Sequence, residues 1–501
     1  MRTAYTSDQI RTAERALMAR LPDGTLMQRA AAGLAVHCAA ELRRARGVYG
    51  SRVAVLAGGG DNGGDALYAG ARLAARGARV DAVLAGSRTH EGGLAALRAA
   101  GGRAVPAGSD AARRAVERAD LIVDGLVGIG GSGALRPPYA ELVSLAGGAR
   151  GRVVAVDVPS GVAAGTGEVE GPAVRAAVTV TFGALKTGLL TDPGAEHAGR
   201  VELVDIGLGP YLPGPDATAL TDADVAERLP RPGAESDKYR RGVVGVAAGG
   251  ARFTGAAVLA VGGAVRSGAG LVRYAGQETP VGYVRDHWPE AVVTTLAPGQ
   301  GVEEVGRVQA WVVGPGLGTD DDALAVARSV LATCVPVVVD ADALTLVARE
   351  PSLLRRGAPV LLTPHAGELS RLLGVPREAI EERRVEHARE AAARLGVTVL
   401  LKGSTTVVAE EGLPVRVNAT GTPWLATGGT GDVLSGVAGT LLAAGLSCYD
   451  AGSCAAHLHG SAARIAADGA PIAAGDVAGA IPAAIRAVLG GGTGRHAASS
   501  A

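Results

Sequence analysis

RVAVLAGGGDNGGDALYAGARLAARG, residues 52–77, decides the fold. A valine-rich apolar run enters a cluster of glycines, and a helix of small and apolar residues follows, the opening half of a strand–helix–strand unit. Such a turn resembles a phosphate loop, in which free amides and the positive helix end attract an anion. This one also places Asp61 and Asp65 where the anion would sit. The loop must therefore hold something other than a bare phosphate.

The same alternation continues on both sides. Apolar runs recur in ARVDAVLAG (78–86), ADLIVDGLVG (119–128), GRVVAVDVPSG (151–161), VTVTFGALKTG (178–188) and RVELVDIGLG (200–209), with helical segments such as PPYAELVSLAGG (137–148) between them. Continuous β-branched runs separated by amphipathic helices predict a parallel sheet covered on both faces. The fold class is α/β: an N-terminal Rossmann-like doubly wound parallel sheet, entered through a helical opening, followed by a second α/β series. Residues 208–242 are crowded with proline, glycine and charge, which places a domain junction near 212–225. The expected domains are 1–215 and 220–490, with a disordered tail over 491–501.

Lysine plus arginine equals aspartate plus glutamate, 49 each in 501 residues, so no net basic field draws nucleic acid or an anionic membrane. No run of 18 apolar residues occurs, and the charged start is unlike a secretory signal. A cytoplasmic protein with small-molecule partners, assembled as a homo-oligomer, is expected. The cysteines at 38, 334, 448 and 454 lack metal or redox spacing and read as buried thiols. Arginine supplies nearly all the positive charge; Lys186, Lys238 and Lys402 are the three lysines, and Asn62 and Asn418 the two asparagines. Residue types this scarce point to positions that need that side chain, such as a compact ammonium.

Asp65, Asp124 and Asp157 each stand where an apolar run meets a glycine-rich turn. Strand ends of a doubly wound sheet converge on one crevice, so these acids face a common ligand, with Asn62 and Ser160 beside them. Hard oxygen donors without sulfur or imidazole suit an alkali or alkaline-earth cation. The amides of Gly63 and Gly64, with GIGGSGA (128–134), can approach a pyrophosphate closely because no Cβ intervenes. A cation beside a phosphate-bearing ligand accounts for the acidic loop.

GGGDNGGDALYAGARLAARG, DGLVGIGGSG, VDVPSG and TFGALKTGLL resemble the epimerase domain of the bifunctional NAD(P)H-hydrate repair enzymes over roughly residues 1–212. The resemblance implies that hydrated NAD(P)H is bound by Asp61, Asn62, Gly63, Gly64 and Asp65, by Gly128, Ile129, Gly130, Gly131, Ser132, Gly133 and Ala134, and by Asp157. It implies potassium ligands at Asn62, Asp124 and Ser160. Asp61 departs from the family's first asparagine and Ala66 from its last glycine. Epimerising a carbinol carbon needs a proton for the departing oxygen and recapture of water from the other face; Asp157 and Lys186 are the candidates.

In the second half, NATGTPWLATGGTGDVLSGVAGTLLAAG (418–445) runs GGTGD into an apolar small-residue helix, so unpaired amides and a helix dipole meet beside Asp432. An anion hole with an adjacent base fits phosphoryl transfer. This stretch resembles the GxGD signature of ribokinase-like kinases. With DKYRRG, GPGLG (314–318), TPHAGE (363–368) and KGSTTVV (402–408) it is more similar to the ADP-dependent NAD(P)H-hydrate dehydratase, over about 220–490. That resemblance implies hydrate contacts at Ala256, Gly318, His365 and Asp432, and ADP contacts at Lys402, Gly403, Ser404, Thr405, Thr406 and Gly431, with magnesium bridging the ADP phosphates. Asp432 would take the hydroxyl proton and Lys402 would neutralise phosphate charge. Two alternatives stand beside it: a ribokinase-like small-molecule kinase fused to a nucleotide-sensing domain, and an N-terminal domain that only binds or assembles.

Overall fold

The structure is a computed structural model describing residues 1–86 and 88–490. The expected disordered tail lies outside the described residues. The chain divides into two compact units, Thr3–Ala217 and Thr218 onward, the latter also taking Met1 and Arg2.

The N-terminal unit is built on seven parallel strands. In spatial order they are Arg103–Pro106, Arg79–Leu84, Arg52–Ala57, Leu121–Gly125, Arg152–Val156, Val178–Phe182 and Arg200–Val204. The chain moves outward from Arg52–Ala57 in one direction, then returns to its other side, so the order reverses between Arg52–Ala57 and Leu121–Gly125. Ligand crevices of doubly wound sheets open at such a reversal. Both faces are covered. Leu34, Cys38, Leu67 and Leu73 pack against one face, and Val116, Leu142, Val143 and Ala146 against the other. The two central strand ends are pressed so close that a Cβ on Gly58 would lie 1.9 Å from the carbonyl oxygen of Leu126. Only glycine fits there.

The helical opening expected for the chain needs correction. Arg2–Tyr5 is a strand, and the helix Ser7–Met18 follows it, capped by Thr6 and Gln9. Ala4 and Tyr5 pair in parallel with Leu185 and Lys186. Its tertiary partner makes this segment a strand: a pair that short has no stability of its own.

In the C-terminal unit seven strands run parallel in the order Val292–Thr295, Leu271–Gly276, Val243–Ala247, Ala310–Val313, Val337–Val339, Val360–Leu362 and Thr398–Leu401. The antiparallel strands Thr406–Ala409 and Val415–Asn418 follow. The helices Thr254–Arg266 and Thr430–Ala443 touch backbone to backbone. A Cβ on Gly263 would fall 2.2 Å from the Val433 carbonyl oxygen, and one on Gly436 would fall 2.1 Å from that of Ala260. Their small residues therefore serve close helix packing as well as the loop ahead of them.

Among the cysteines, 38, 448 and 454 are buried as expected, but Cys334 is exposed. It lies in the bend between the helix Asp321–Ala332 and the strand Val337–Val339, where no layer covers it. No helix among the described residues is long and apolar enough to cross a membrane.

Two candidate active sites

In the N-terminal unit the helix Asp61–Ala74 begins at the reversal point, and Asp124 ends the strand beside it. Asp124 is fully buried. Its carboxylate accepts hydrogen bonds from the Ser160 amide at 2.8 Å and the Ser160 hydroxyl at 2.7 Å, while that hydroxyl accepts one from the Val127 amide at 3.0 Å. Burial pushes the Asp124 pKa up to about 6, against the pull of those hydrogen bonds. A Cβ on Gly128 would come within 3.0 Å of Asn62 Oδ1, so Asn62 reaches the same corner. Asp124 and Ser160 are paired and Asn62 borders the adjoining Gly128; one carboxylate among neutral oxygens is a donor set that would suit a monovalent cation.

Two buried polar atoms here lack hydrogen-bond partners within the protein, Asn62 Nδ2 and Asp65 Oδ1. Burial, then the charges of Asp157, Asp61 and Glu14, hold the Asp65 carboxyl well above the usual carboxylate range. Unsatisfied polar atoms in a crevice mark where a ligand's groups would sit.

Asp157 follows the strand Arg152–Val156 with φ at 67°, a left-handed conformation costly for a residue with a Cβ. Its Oδ1 accepts from Lys186 Nζ, from Thr181 Oγ1 at 3.1 Å and from the Phe182 amide at 3.1 Å. Lys186 is 1% exposed, which excludes an ordinary surface lysine, and it also donates to Thr181 Oγ1 at 2.9 Å and the Phe182 carbonyl at 3.0 Å. The pairing of Tyr5 with Lys186 holds this lysine's strand in place.

The rest of the expected loop splits. Gly128 lies against Asn62, and Gly130 lies near Arg11, whereas Cβ atoms at Gly133 and Gly171 would face Glu170 and Ala134. Ala66 is buried against Gly125, where a Cβ would come within 2.5 Å of the Ala66 methyl. Ala66 thus packs helix on strand, its methyl filling the space against Gly125. Asp61 is exposed in the first helical turn.

Sequence reasoning missed Glu14 on the helix Ser7–Met18. Its pKa is raised by burial and by Asp157, and lowered by Lys186, which places it at this crevice. Nothing in its local sequence distinguishes it from a solvated helix residue.

In the C-terminal unit the centre is Lys402. Its Nζ donates to Asp340 Oδ1 at 2.7 Å and lies 3.9 Å from Glu368 Oε2, and a Cβ on Gly431 would sit 3.4 Å from it. Burial opposes the charge on Lys402, but Asp340, Glu368 and Asp432 outweigh it and hold the ammonium above its ordinary pKa. Asp432 sits in the first turn of Thr430–Ala443, behind Gly429 at φ 88°. Burial, then Asp340, raise its pKa to about 7, with Lys402 pulling the other way. A carboxylate that titrates near neutrality is well matched to proton abstraction.

Ala341 adopts φ 49° and ψ −116°, another conformation costly for a residue with a Cβ. This turn sends Asp340 to Lys402 and Asp342 to the amide of Gly318, 2.9 Å away. A Cβ on Gly316 would lie 2.7 Å from the Ala256 methyl, so the GPGLG loop and the start of the helix Thr254–Arg266 are neighbours. His365 caps the helix Ala366–Leu373. Its Nδ1 accepts from the Glu368 amide at 3.2 Å, and its own amide donates to Glu368 Oε2 at 2.8 Å.

The expected residues Ala256, Gly318, His365, Lys402, Gly431 and Asp432 are therefore joined through Asp340, Asp342 and Glu368, which sequence reasoning did not single out as site residues. Gly403 and Ser404 are exposed beside Lys402, Thr405 is buried, and Thr406 opens a strand. Asp340 had a usable signal: it ends an apolar run, as Asp124 and Asp157 do.

Both sites lie at strand ends of α/β sheets and combine glycine-rich backbone with acid–lysine pairs, an arrangement suited to phosphate-bearing small molecules. A family model described as NAD(P)H-hydrate dehydratase matches residues 244–482, and one described as YjeF-related protein N-terminus matches 23–188. The bifunctional NAD(P)H-hydrate repair enzyme Nnr of Mycobacterium tuberculosis (strain CDC 1551 / Oshkosh) is 50% identical, over 90% of this chain and 91% of its own. That of Mycobacterium leprae (strain TN) is 49% identical, over 95% and 96%. A crystal structure of the ADP/ATP-dependent NAD(P)H-hydrate dehydratase from Bacillus subtilis, co-crystallised with ATP/Mg2+, is 31% identical and covers 54% of this chain and 98% of its own, with a TM-score of 0.49. The chain belongs to the family of bifunctional NAD(P)H-hydrate repair enzymes.

Proposed function

We propose that this chain repairs hydrated NADH and NADPH in two steps, as a homo-oligomer in the cytoplasm. Residues 1–215 interconvert the R and S hydrates, and residues 220–490 dehydrate the S form with ADP, releasing AMP and phosphate. The observation that carries this reading is the convergence of Asp432, Lys402 and Asp340 at one helix start.

Hydroxide is a poor leaving group. Asp432 takes the proton of the hydrate's hydroxyl as its oxygen attacks the terminal phosphorus of ADP, and the departing AMP carries away the electrons of the broken bond. The amides of the first helical turn and Lys402 stabilise the transferred phosphoryl group. Phosphate then leaves, and loss of the ring proton restores the dihydronicotinamide. Magnesium supplies charge neutralisation between phosphates when bound.

In the N-terminal site, Asn62, Asp124 and Ser160 would hold potassium, which contributes positive charge beside the ligand's phosphates. Asp157 and Lys186 exchange the proton that lets water depart from and return to the ring carbon. Asp61, Asn62, Gly63, Gly64 and Asp65 bind the hydrate, with residues 128–134 on its pyrophosphate. In the dehydratase half Ala256, Gly318 and His365 border the nicotinamide nucleotide, and residues 402–406 with Gly431 border ADP.

The test is to incubate a mixture of both hydrate epimers with ADP or ATP and follow the near-ultraviolet absorbance of the restored dihydronicotinamide. Full recovery with ADP supports both halves. Recovery that stops when the S epimer is spent removes the epimerase, and formation of a stable phosphorylated product would establish a kinase instead.

A further inference from the structure

The N-terminal crevice is rich in acidic groups, with Asp61 and Asp157 acting on Glu14 and burial holding Asp65 toward its neutral form. Lys186 offsets little of their charge toward a ligand, because its ammonium already serves Asp157, Thr181 and the Phe182 carbonyl. A dinucleotide brings the further charge of its pyrophosphate, more than one potassium ion offsets, so a cationic side chain of the protein itself is called for.

Arg11 is placed to be that cation. Its Nη2 donates to the carbonyl oxygen of Ile129 at 3.2 Å, and a Cβ on Gly130 would lie 3.4 Å from the same nitrogen. The guanidinium thus rests on the glycine-rich loop with no side chain between. Its other contact is Asp8 Oδ1 at 3.4 Å, on a side chain 92% exposed, a weak pair that a ligand can outcompete. A guanidinium carries five N–H donors in a planar fork suited to phosphate oxygens, and these two bonds leave donors to spare.

We propose that Arg11 binds the pyrophosphate of the hydrated dinucleotide, clamping it onto the glycine-rich loop 128–134. This rests on the reading of the N-terminal site as a hydrate epimerase. The bond to Ile129 fixes where the guanidinium stands, and its remaining donors offset the charge that Asp61 and Glu14 bring to the same crevice.

The experiment uses the full-length chain with the separated S hydrates of NADH and of NADPH, each without ADP, following appearance of the R form by chromatography at low and high salt. Arg11→Gln is expected to raise KM about tenfold, the loss of one charge-assisted contact, with kcat nearly unchanged and the salt dependence of KM flattened. Arg11→Lys is expected to recover most of the affinity and the salt response. An unchanged KM in Arg11→Gln overturns the proposal. So does a fall in kcat with KM and salt response unaltered, which would mean that Arg11 only shapes the loop, or an effect confined to hydrated NADPH, which would place the guanidinium on the ribose phosphate. If the unaltered chain forms no R hydrate yet consumes the S hydrate once ADP is added, the epimerase reading itself has failed and this proposal falls with it.

Discussion

Lys402 Nζ stands 2.7 Å from Asp340 Oδ1, and the other oxygen of that carboxylate accepts a hydrogen bond from Ser435 Oγ at 2.6 Å. Ser435 lies on the helix that begins with Thr430, so one carboxylate ties the lysine to the helix whose first turn carries Asp432. Asp340 is 1% exposed and acts as a positioning residue. Asp340→Asn keeps the shape and removes the charge that holds the ammonium. ADP-dependent dehydration is expected to fall by about 10- to 100-fold, the scale set by misplacing a catalytic group. Steady-state kinetics check this, and Ser435→Ala should show a smaller loss in the same direction.

Asp432→Asn is expected to lower kcat for dehydration by about 10²- to 10⁴-fold, the usual contribution of a general base. In the unaltered chain kcat/KM should rise with pH as Asp432 loses its proton near about 7. Stability should move the opposite way. Because burial raises this acid's pKa above its ordinary 3.8, the native state holds the proton more tightly than the unfolded chain, and stability falls as pH rises from about 4 to about 7. The Asn variant should therefore melt several degrees higher at pH 8 and no higher at pH 4, measured without nucleotide.

Lys186 and Asp157 form a buried ion pair, and removing one member leaves the other charged and unpaired. Lys186→Met is expected to cost about 3–5 kcal/mol of N-terminal unit stability and to abolish epimerisation. Dehydration of the S hydrate should survive, because its machinery lies in the other unit. A Lys186→Met chain that still converts S to R hydrate at the normal rate would remove the lysine from the mechanism.

If Asn62, Asp124 and Ser160 hold potassium, it should raise the melting temperature of the N-terminal unit relative to lithium, whose small radius and reluctant dehydration suit a potassium-sized cradle poorly. Ser160→Ala should erase the difference, since its hydroxyl lies 2.7 Å from the Asp124 carboxylate. Calorimetry in matched chloride salts distinguishes the ions, and an equal response to both would refute the site.

Much of the site was legible because strand-end acids follow a rule of topology. Once the alternation of apolar runs and helices was read, Asp124 and Asp157 had to meet near the loop at 61–65. Scarcity singles out Lys186, and the glycines ahead of Asp432 single out that acid. Ala66 differs from the family pattern, and only the tertiary structure shows that its methyl packs against Gly125. Arg2–Tyr5 reads as part of a helical opening because four residues carry too little pattern to compete with the helix that follows.

The sequence by itself determined the two α/β units, the glycine-rich turns and the acids at their strand ends, since these follow from local periodicity and the backbone freedom of glycine. Tertiary structure decided which charges share a crevice. Arg11 and Glu14 reach the N-terminal site from a helix far from it in sequence, and Asp340 reaches Lys402 across 62 positions. Electrostatic energy depends on distance in space, and no pattern along the chain records that distance.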